Sequence, residues 1–429
     1  MGDTNWPTLA SSEYLAMTLW CLDKYEEAQN TCSYTIEGMK TLLGSDHPST
    51  LNATHNLASI LKDQGQYQEA EKIYREVLSK RTEKLGQEHQ NTLTTAYELA
   101  VALDSQEKNT EAETLYRQAL EGREKVLGKN HADTCSCANS FAWLIAAARG
   151  HTEEVESLFR LALEGAETCL GKNDDWTLTY ASNLAKNLWK RGKLDEAQTL
   201  YTRVMNGREE QLGKPHSDTL EAMSNLVAVL EEREDFATSE IVWRGLVSRR
   251  EELLGSKDPQ TLDAMANLAF AIAKQNKYAA AEPIFQSIVS GREEQGRNTG
   301  VVEVQHIADL AYVLWKLGKN KESEVMGRRA LDRYTSLRSW SDEWVLMCVV
   351  GLVTTLIAQG KREEARVLAR EALDKGGEEI PAEIREWLYE NGSPAEMNES
   401  CLSPGSRLRP GYLRAICFTV SFIISSFIP

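Results

Sequence analysis

The sequence predicts an all-α solenoid, a stack of about nine helical hairpins, and three observations carry that expectation. A Thr followed by an apolar residue recurs at Thr8-Leu9, Thr50-Leu51, Thr92-Leu93, Thr134-Cys135, Thr177-Leu178, Thr219-Leu220 and Thr261-Leu262, at steps of 42, 42, 42, 43, 42 and 42 residues. A Leu-Gly pair keeps phase with it at Leu43-Gly44, Leu85-Gly86, Leu127-Gly128, Leu170-Gly171, Leu212-Gly213 and Leu254-Gly255. Between these markers the apolar residues fall at helical spacing. A period of this length marks identical supersecondary units, each burying its apolar face against its neighbours, so the 429 residues count repeats rather than globular domains.

Residues 50–85 show how one unit is built. Leu51, Leu57, Ala58 and Leu61 form the apolar stripe of a first helix, helix A. Gly65 permits a tight turn, and Tyr67, Ala70, Ile73, Tyr74, Val77 and Leu78 continue the spacing through a second, helix B. Helix B ends at Leu85-Gly86, where glycine can take a left-handed C-cap. Glu69 and Glu71 stand in its first turns and Lys80, Arg81 and Lys84 in its last, complementing the helix dipole at both ends. Small residues (Ala58, Ala70) recur where helices approach closely, and large ones (Leu57, Tyr74) where a neighbour's hollow must be filled.

The repeat runs on with two irregularities. The 43-residue step belongs to residues 146–149, at the end of the fourth helix A, and predicts a local bulge there. Past Thr261 the spelling weakens, yet Leu310-Ala311, Leu314, Gly318, Glu322 and Leu331 continue the phase, and Leu352, Leu356, Gly360, Glu364-Ala365 and Leu373 repeat it once more. Residues 381–390 read as a short closing helix, so residues 1–390 form the array with its cap. Residues 391–411, rich in Gly, Ser, Pro and Asn, read as a flexible linker, and residues 412–429 as a short apolar tail. Within the tail, residues 416–428 are apolar except for Thr419, Ser421, Ser425 and Ser426, and Arg407, Arg409 and Arg414 precede them. A membrane anchor with a basic flank is one reading of the tail. The run falls short of the roughly 20 residues needed to cross a bilayer, and a disordered end or an artefact of gene prediction is the other.

The order Leu-small, Leu, Gly, Tyr, Ala, Tyr resembles the tetratricopeptide repeat. With the 42-residue period, the phrase His47-Pro48-Ser49-Thr50-Leu51 and the ending Leu85-Gly86, the unit is similar to the repeats of kinesin light chains, over roughly residues 8–375. Such repeats also occur in fungal and bacterial proteins, sometimes behind a nucleotide-binding domain. The resemblance implies a non-enzymatic adaptor or scaffold that binds peptide segments of partner proteins in a groove lined by the A helices. Its alternative is the regulatory repeat module of a nucleotide-dependent, NB-ARC-like sensor.

Composition and motifs exclude other classes. With 64 acidic against 48 basic residues and a formal charge of −16, the chain repels a nucleic-acid backbone. Eight cysteines lie scattered without a C-x-x-C pair, as reduced thiols of a cytoplasmic protein would, and the N-terminal residues lack the basic-then-apolar pattern of a secretory signal. His47, His89, His131 and His216 share one repeat position, which sets them about two helix diameters of about 10 Å apart, too far to share a metal ion. Turn or capping roles suit them better. Residues 122–129 mimic a phosphate loop, but five residues separate the glycines where four are required, and the segment ends a helix. No catalytic constellation stands out, so we expect no enzyme, cofactor or metal.

In the tetratricopeptide architecture, positions 2, 5, 6, 9, 12 and 13 after the marker Thr face the groove. Position 6 is Asn56, Asn183, Asn225 and Asn267 in four repeats and Tyr14, Glu98, Ser140 or Asp309 in others. An amide there offers donor and acceptor to an extended peptide, or else bonds a neighbouring helix. Positions 9, 12 and 13 supply Lys186, Trp189 and Lys190, then Phe270 and Lys274, then Tyr312, Trp315 and Lys316, with Glu231 and Glu232 interrupting. Kinesin light chains recognise acidic peptides with a central Trp in this region, so the resemblance implies an acidic peptide with an aromatic anchor. Solvated lysines at helix ends are the other reading.

Overall fold

Helix follows helix from Trp6 to Gly392 in the computed structural model, which describes residues 5–294 and 301–392. Five hairpins come first: α1 (Trp6–Cys21) with α2 (Tyr25–Leu43), α3 (Pro48–Asp63) with α4 (Tyr67–Leu85), α5 (Gln90–Asp104) with α6 (Asn109–Val126), α7 (Ala132–Arg149) with α8 (Glu153–Cys169), and α9 (Asp175–Lys190) with α10 (Leu194–Leu212). Four more follow: α11 (Ser217–Glu232) with α12 (Phe236–Leu254), α13 (Pro259–Lys274) with α14 (Tyr278–Glu294), α15 (Val301–Lys316) with α16 (Asn320–Leu337), and α17 (Glu343–Ala358) with α18 (Arg362–Gly376). A 3₁₀ turn at Gly377–Glu379 leads to α19 (Ala382–Gly392), which packs on α18. The expected nine hairpins of an all-α solenoid are therefore present, and no strand occurs among the described residues. The residues after Gly392, with most of the expected linker and the whole apolar tail, lie outside the described residues.

The chain divides between Arg208 and Glu209 into two compact units. Within each, helices pack on their chain neighbours, and A helices touch the next A helix, as α1 on α3 and α15 on α17. Small residues make this possible. Ala58, Ala100, Ala142 and Ala185 of the A helices, and Ala70, Ala112 and Ala197 of the B helices, are fully buried. Tyr74, Tyr116, Phe159 and Tyr201 fill the larger hollows one repeat apart.

The two sequence markers are one device. Thr50, Thr134 and Thr219 each donate a side-chain hydrogen bond of 2.9 Å to the carbonyl of Gly44, Gly128 and Gly213, tying a helix A to the end of the preceding helix B. Those glycines depart from expectation in one respect. Gly44 and Gly86 have φ near +90° but ψ near 160°, an extended conformation that glycine alone tolerates, rather than the left-handed cap. The left-handed cap closes helix A instead. Gly65 N–H donates to Lys62 O and Gln66 N–H to Leu61 O, both at 2.9 Å, which is the Schellman pairing.

The start of helix A is capped by the recurring histidine. The Nδ1 atoms of His47, His89, His131 and His216 accept from the backbone N–H two residues on at 3.1–3.2 Å. Asp174, Asp258 and Asp342 do the same in other repeats. At the 43-residue step the expected bulge is absent. Instead α7 runs 18 residues to Gly150, whose N–H still bonds Ala146 O at 2.9 Å, and Thr152 caps α8. Lengthening a regular helix keeps every backbone donor paired, whereas a bulge would leave the ladder disrupted.

A second periodic device ties hairpin to hairpin. Glu71 accepts hydrogen bonds from Arg75 and from Gln106 and Lys108 of the next hairpin. Glu240 repeats this with Arg244, Gln275 and Lys277, and Glu324 with Arg328, Gln359 and Lys361. Glu156 takes Arg160, Arg191 and Lys193. Burial alone would raise these carboxyls, but the cationic and amide donors outweigh it and hold Glu71 and Glu240 down to about 2.

Candidate peptide-binding surface

The expected site residues fall into two sets, one in each unit. Asn56, Asn183, Lys186, Trp189 and Lys190 belong to the first, and Asn225, Asn267, Phe270, Lys274, Tyr312, Trp315 and Lys316 to the second. In the first, Asn183, Lys186 and Trp189 follow one another on α9 at steps of three residues, with Lys190 four after Lys186, and hence project from one side. The Lys186 ammonium lies 5.1 Å from the centre of the Trp143 ring on α7, and Lys190 lies 4.7 Å from the Trp189 ring. Asn183 donates to Asn139 Oδ1 at 2.8 Å and Asn56 to Glu13 Oε1 at 3.4 Å. Both amides thus spend one donor on the preceding A helix, the neighbour bond weighed above, and an amide carries two.

The second unit repeats the motif. Lys274 stands 5.3 Å from the Phe270 ring and 5.7 Å from Phe236, and Lys316 stands 4.6 Å from Trp315 and 5.4 Å from Tyr312. Tyr278 meets Tyr312 edge-on at 6.3 Å, and Phe236 meets Phe270 likewise at 6.4 Å. Asn267 lies half-buried on α13 with Phe270 and Lys274, and Asn225 half-buried on α11, the A helix before it. Glu231, expected to interrupt this surface, acts on its Lys274. It turns into its own hairpin, accepting from Ser239 Oγ at 3.1 Å and Trp243 Nε1 at 2.8 Å, and burial raises its carboxyl.

Three ring partners escaped the sequence reading: Trp143, Phe236 and Tyr278. Trp143 stands at position 9 after Thr134, so the same positional rule finds it. Phe236 and Tyr278 open helix B, where Tyr67 of the model repeat reads as packing. Not every groove lysine is held this way. Lys62, at position 12 of the second repeat, bonds Glu98 at 2.7 Å and Asp63 at 3.6 Å. At position 6 of the eighth repeat, Asp309 accepts from Gln305 at 2.9 Å, yet burial pushes its carboxyl up to about 7.

A model of the tetratricopeptide repeat matches residues 8–83, 51–125, 91–168, 146–210 and 176–242, and two further models of the same repeat match residues 261–294 and 346–371. The chain belongs to the tetratricopeptide repeat family. No curated protein matches it. Among solved structures it is similar to the nearly identical TPR-like repeats of a Podosopora anserina protein described as a kinesin light chain, at 24% identity over 49% of this chain and 99% of that one, with a TM-score of 0.43. It is also similar to BtubC (BKLC) from P. vanneervenii, at 20% identity over 54% and 92% of the two chains, TM-score 0.46. The apo form of RapI shares the fold at 15% identity over 87% of this chain and all of that one, TM-score 0.53. Tetratricopeptide arrays are protein-interaction scaffolds, and the recurrent residues here serve packing and capping. Among the described residues, no helix is long and apolar enough to cross a membrane, and no group of His, Cys, Asp or Glu is placed to hold a metal ion.

Proposed function

We propose that this protein is a non-enzymatic adaptor whose A helices bind acidic peptide segments carrying an aromatic anchor. The observation that carries the reading is the seating of Lys186, Lys190, Lys274 and Lys316 over aromatic rings. A ring holds an ammonium in place without neutralising it, so the charge of Lys186, Lys190 and Lys316 stays available to a ligand carboxylate, whereas Lys62 is already taken by Glu98 and Lys274 also acts on Glu231. The same rings supply apolar area for an aromatic or aliphatic side chain. Each unit offers one such surface, Lys186, Trp189 and Lys190 with Asn183 in the first, and Lys274, Tyr312, Trp315 and Lys316 with Asn267 in the second.

Fluorescence anisotropy with a labelled peptide of Trp flanked by Asp and Glu tests this. Asn183→Ala with Lys190→Glu, or Trp315→Ala with Lys316→Glu, is expected to weaken the surface it alters by about tenfold, roughly 1.4 kcal/mol, with the helical signal intact. Affinity should fall with added salt, since exposed charges are screened beyond about 8 Å at physiological ionic strength. Equal binding by parent and both variants removes the proposed surfaces.

A further inference from the structure

The fourth hairpin carries two cysteines where the repeat elsewhere places packing residues. Leu follows the marker Thr in six repeats and Cys135 follows it in the fourth. In four of those six the leucine lies against a glycine of its own helix B, Leu9 on Gly38, Leu93 on Gly122, Leu178 on Gly207 and Leu262 on Gly291. Cys135 does the same, its sulfur lying against Gly165 on α8 with no room between them for a Cβ. One turn further along α8, on the same face, Cys169 stands where other hairpins have Leu42, Val126 and Gln211. The two thiols are within hydrogen-bonding reach of one another. Cys135 is fully buried and Cys169 is exposed. Cys137 points elsewhere, its thiol donating to Tyr116 O on α6 at 3.8 Å.

A buried cysteine by itself is a small apolar residue, but a second thiol set against it, one buried and one open to solvent, makes a pair that can close. We propose that Cys135 and Cys169 form a reversible disulfide by exchange with a small-molecule disulfide of the glutathione class. Cys169 reacts first, because solvent reaches it, whereas burial and then the neighbouring Cys169 sulfur push the Cys135 thiol up to about 12, so that it is protonated at neutral pH. The Cys169 thiolate attacks one sulfur of the small disulfide, a mixed disulfide forms and one thiolate leaves. Cys135 then gives up its proton, attacks the Cys169 sulfur and expels the second thiolate. Two protein thiols thus pass two electrons and two protons to the small disulfide, which departs as two thiols. The new bond joins the first turn of α7 to the last turn of α8 and closes the open end of the hairpin, opposite the turn at Gly150.

The full chain, treated with oxidised glutathione, quenched with iodoacetamide and mapped by mass spectrometry, tests the pair. The expected product is a Cys135–Cys169 disulfide, lighter than the two reduced peptides by two hydrogens and reversed by dithiothreitol. Cys169→Ser, at an exposed position that leaves the packing intact, should abolish it, while Cys137→Ala should leave its yield unchanged. Cys135→Ala, with its helical signal checked, should stop the reaction at a glutathione adduct on Cys169. A parent chain that keeps that adduct unresolved, or that joins Cys169 to another cysteine instead, would overturn the pair. So would a parent chain in which both thiols stay reduced, or the same yield of a Cys169 disulfide in Cys135→Ala as in the parent.

Discussion

At the scale of single residues, the repeat serves as its own control, because one position can be compared across nine environments. Position 6 is Asn in four repeats and Asp309 in the eighth, where burial pushes the carboxyl up to about 7. A carboxyl raised above its unfolded value lends stability that is full below about pH 4 and is lost as pH rises through about 7. Asp309→Asn should therefore raise the melting temperature at pH 8, by roughly 1–3 kcal/mol of stability, and change little at pH 4. An equal gain at both pH values would show that charge is not the cause. The identity of position 6 was legible from the period alone. Its use was only partly legible, since whether Asn183 bonds Asn139 depends on the residue that stands 44 positions away on the preceding helix.

At the scale of elements, the turn between helices A and B discriminates most clearly. Its left-handed residue is Gly65, Gly192, Gly318 or Gly360 in some hairpins, but Asp23 (φ 58°), Glu107 (φ 60°), Glu234 (φ 58°) and Asn276 (φ 61°) in others. A side chain in that conformation costs about 1 kcal/mol or more, which glycine avoids. Glu107→Gly should therefore stabilise the third hairpin by roughly 0.5–1 kcal/mol, measured by chemical denaturation, whereas a loss would mean that the Glu107 side chain holds the turn in another way. The other end of helix A depends on the histidine cap. His131→Ala should cost about 1 kcal/mol and His131→Asp should restore most of it, since Asp174 and Asp258 cap other repeats. The helices themselves were readable because periodicity fixes their length and phase. The bulge expected at residues 146–149 was not, because one inserted residue can distort a helix or lengthen it, and only the packing around α7 decides between the two.

At the scale of the whole molecule, stability comes from neighbour contacts, and those contacts carry charge. Glu71, Glu156, Glu240 and Glu324 each collect donors from their own hairpin and the next, across 35 to 37 residues of sequence. The sequence reads Glu71 only as a complement to the dipole of its own helix, so this device stayed hidden until the hairpins were stacked. It has a consequence in acid. The carboxyls of Glu71 and Glu240 are held down to about 2, and burial, helped by nearby cations, holds the imidazoles of His55 and His306 down to about 3. A depressed folded value means stability is full above the unfolded value and is lost as pH falls toward the folded one. The histidines should therefore begin to withdraw stability below about pH 6.5 and the glutamates below about pH 4.3, so the melting temperature should decline in two stages between pH 7 and pH 2. His55→Gln with His306→Gln should flatten the upper stage, and Glu71→Gln with Glu240→Gln the lower one, at the expense of their ion pairs at pH 7. A melting temperature constant from pH 7 to pH 3 would contradict both assignments. Loss of the upper stage in the glutamate variant would mean that the two stages had been attributed to the wrong groups.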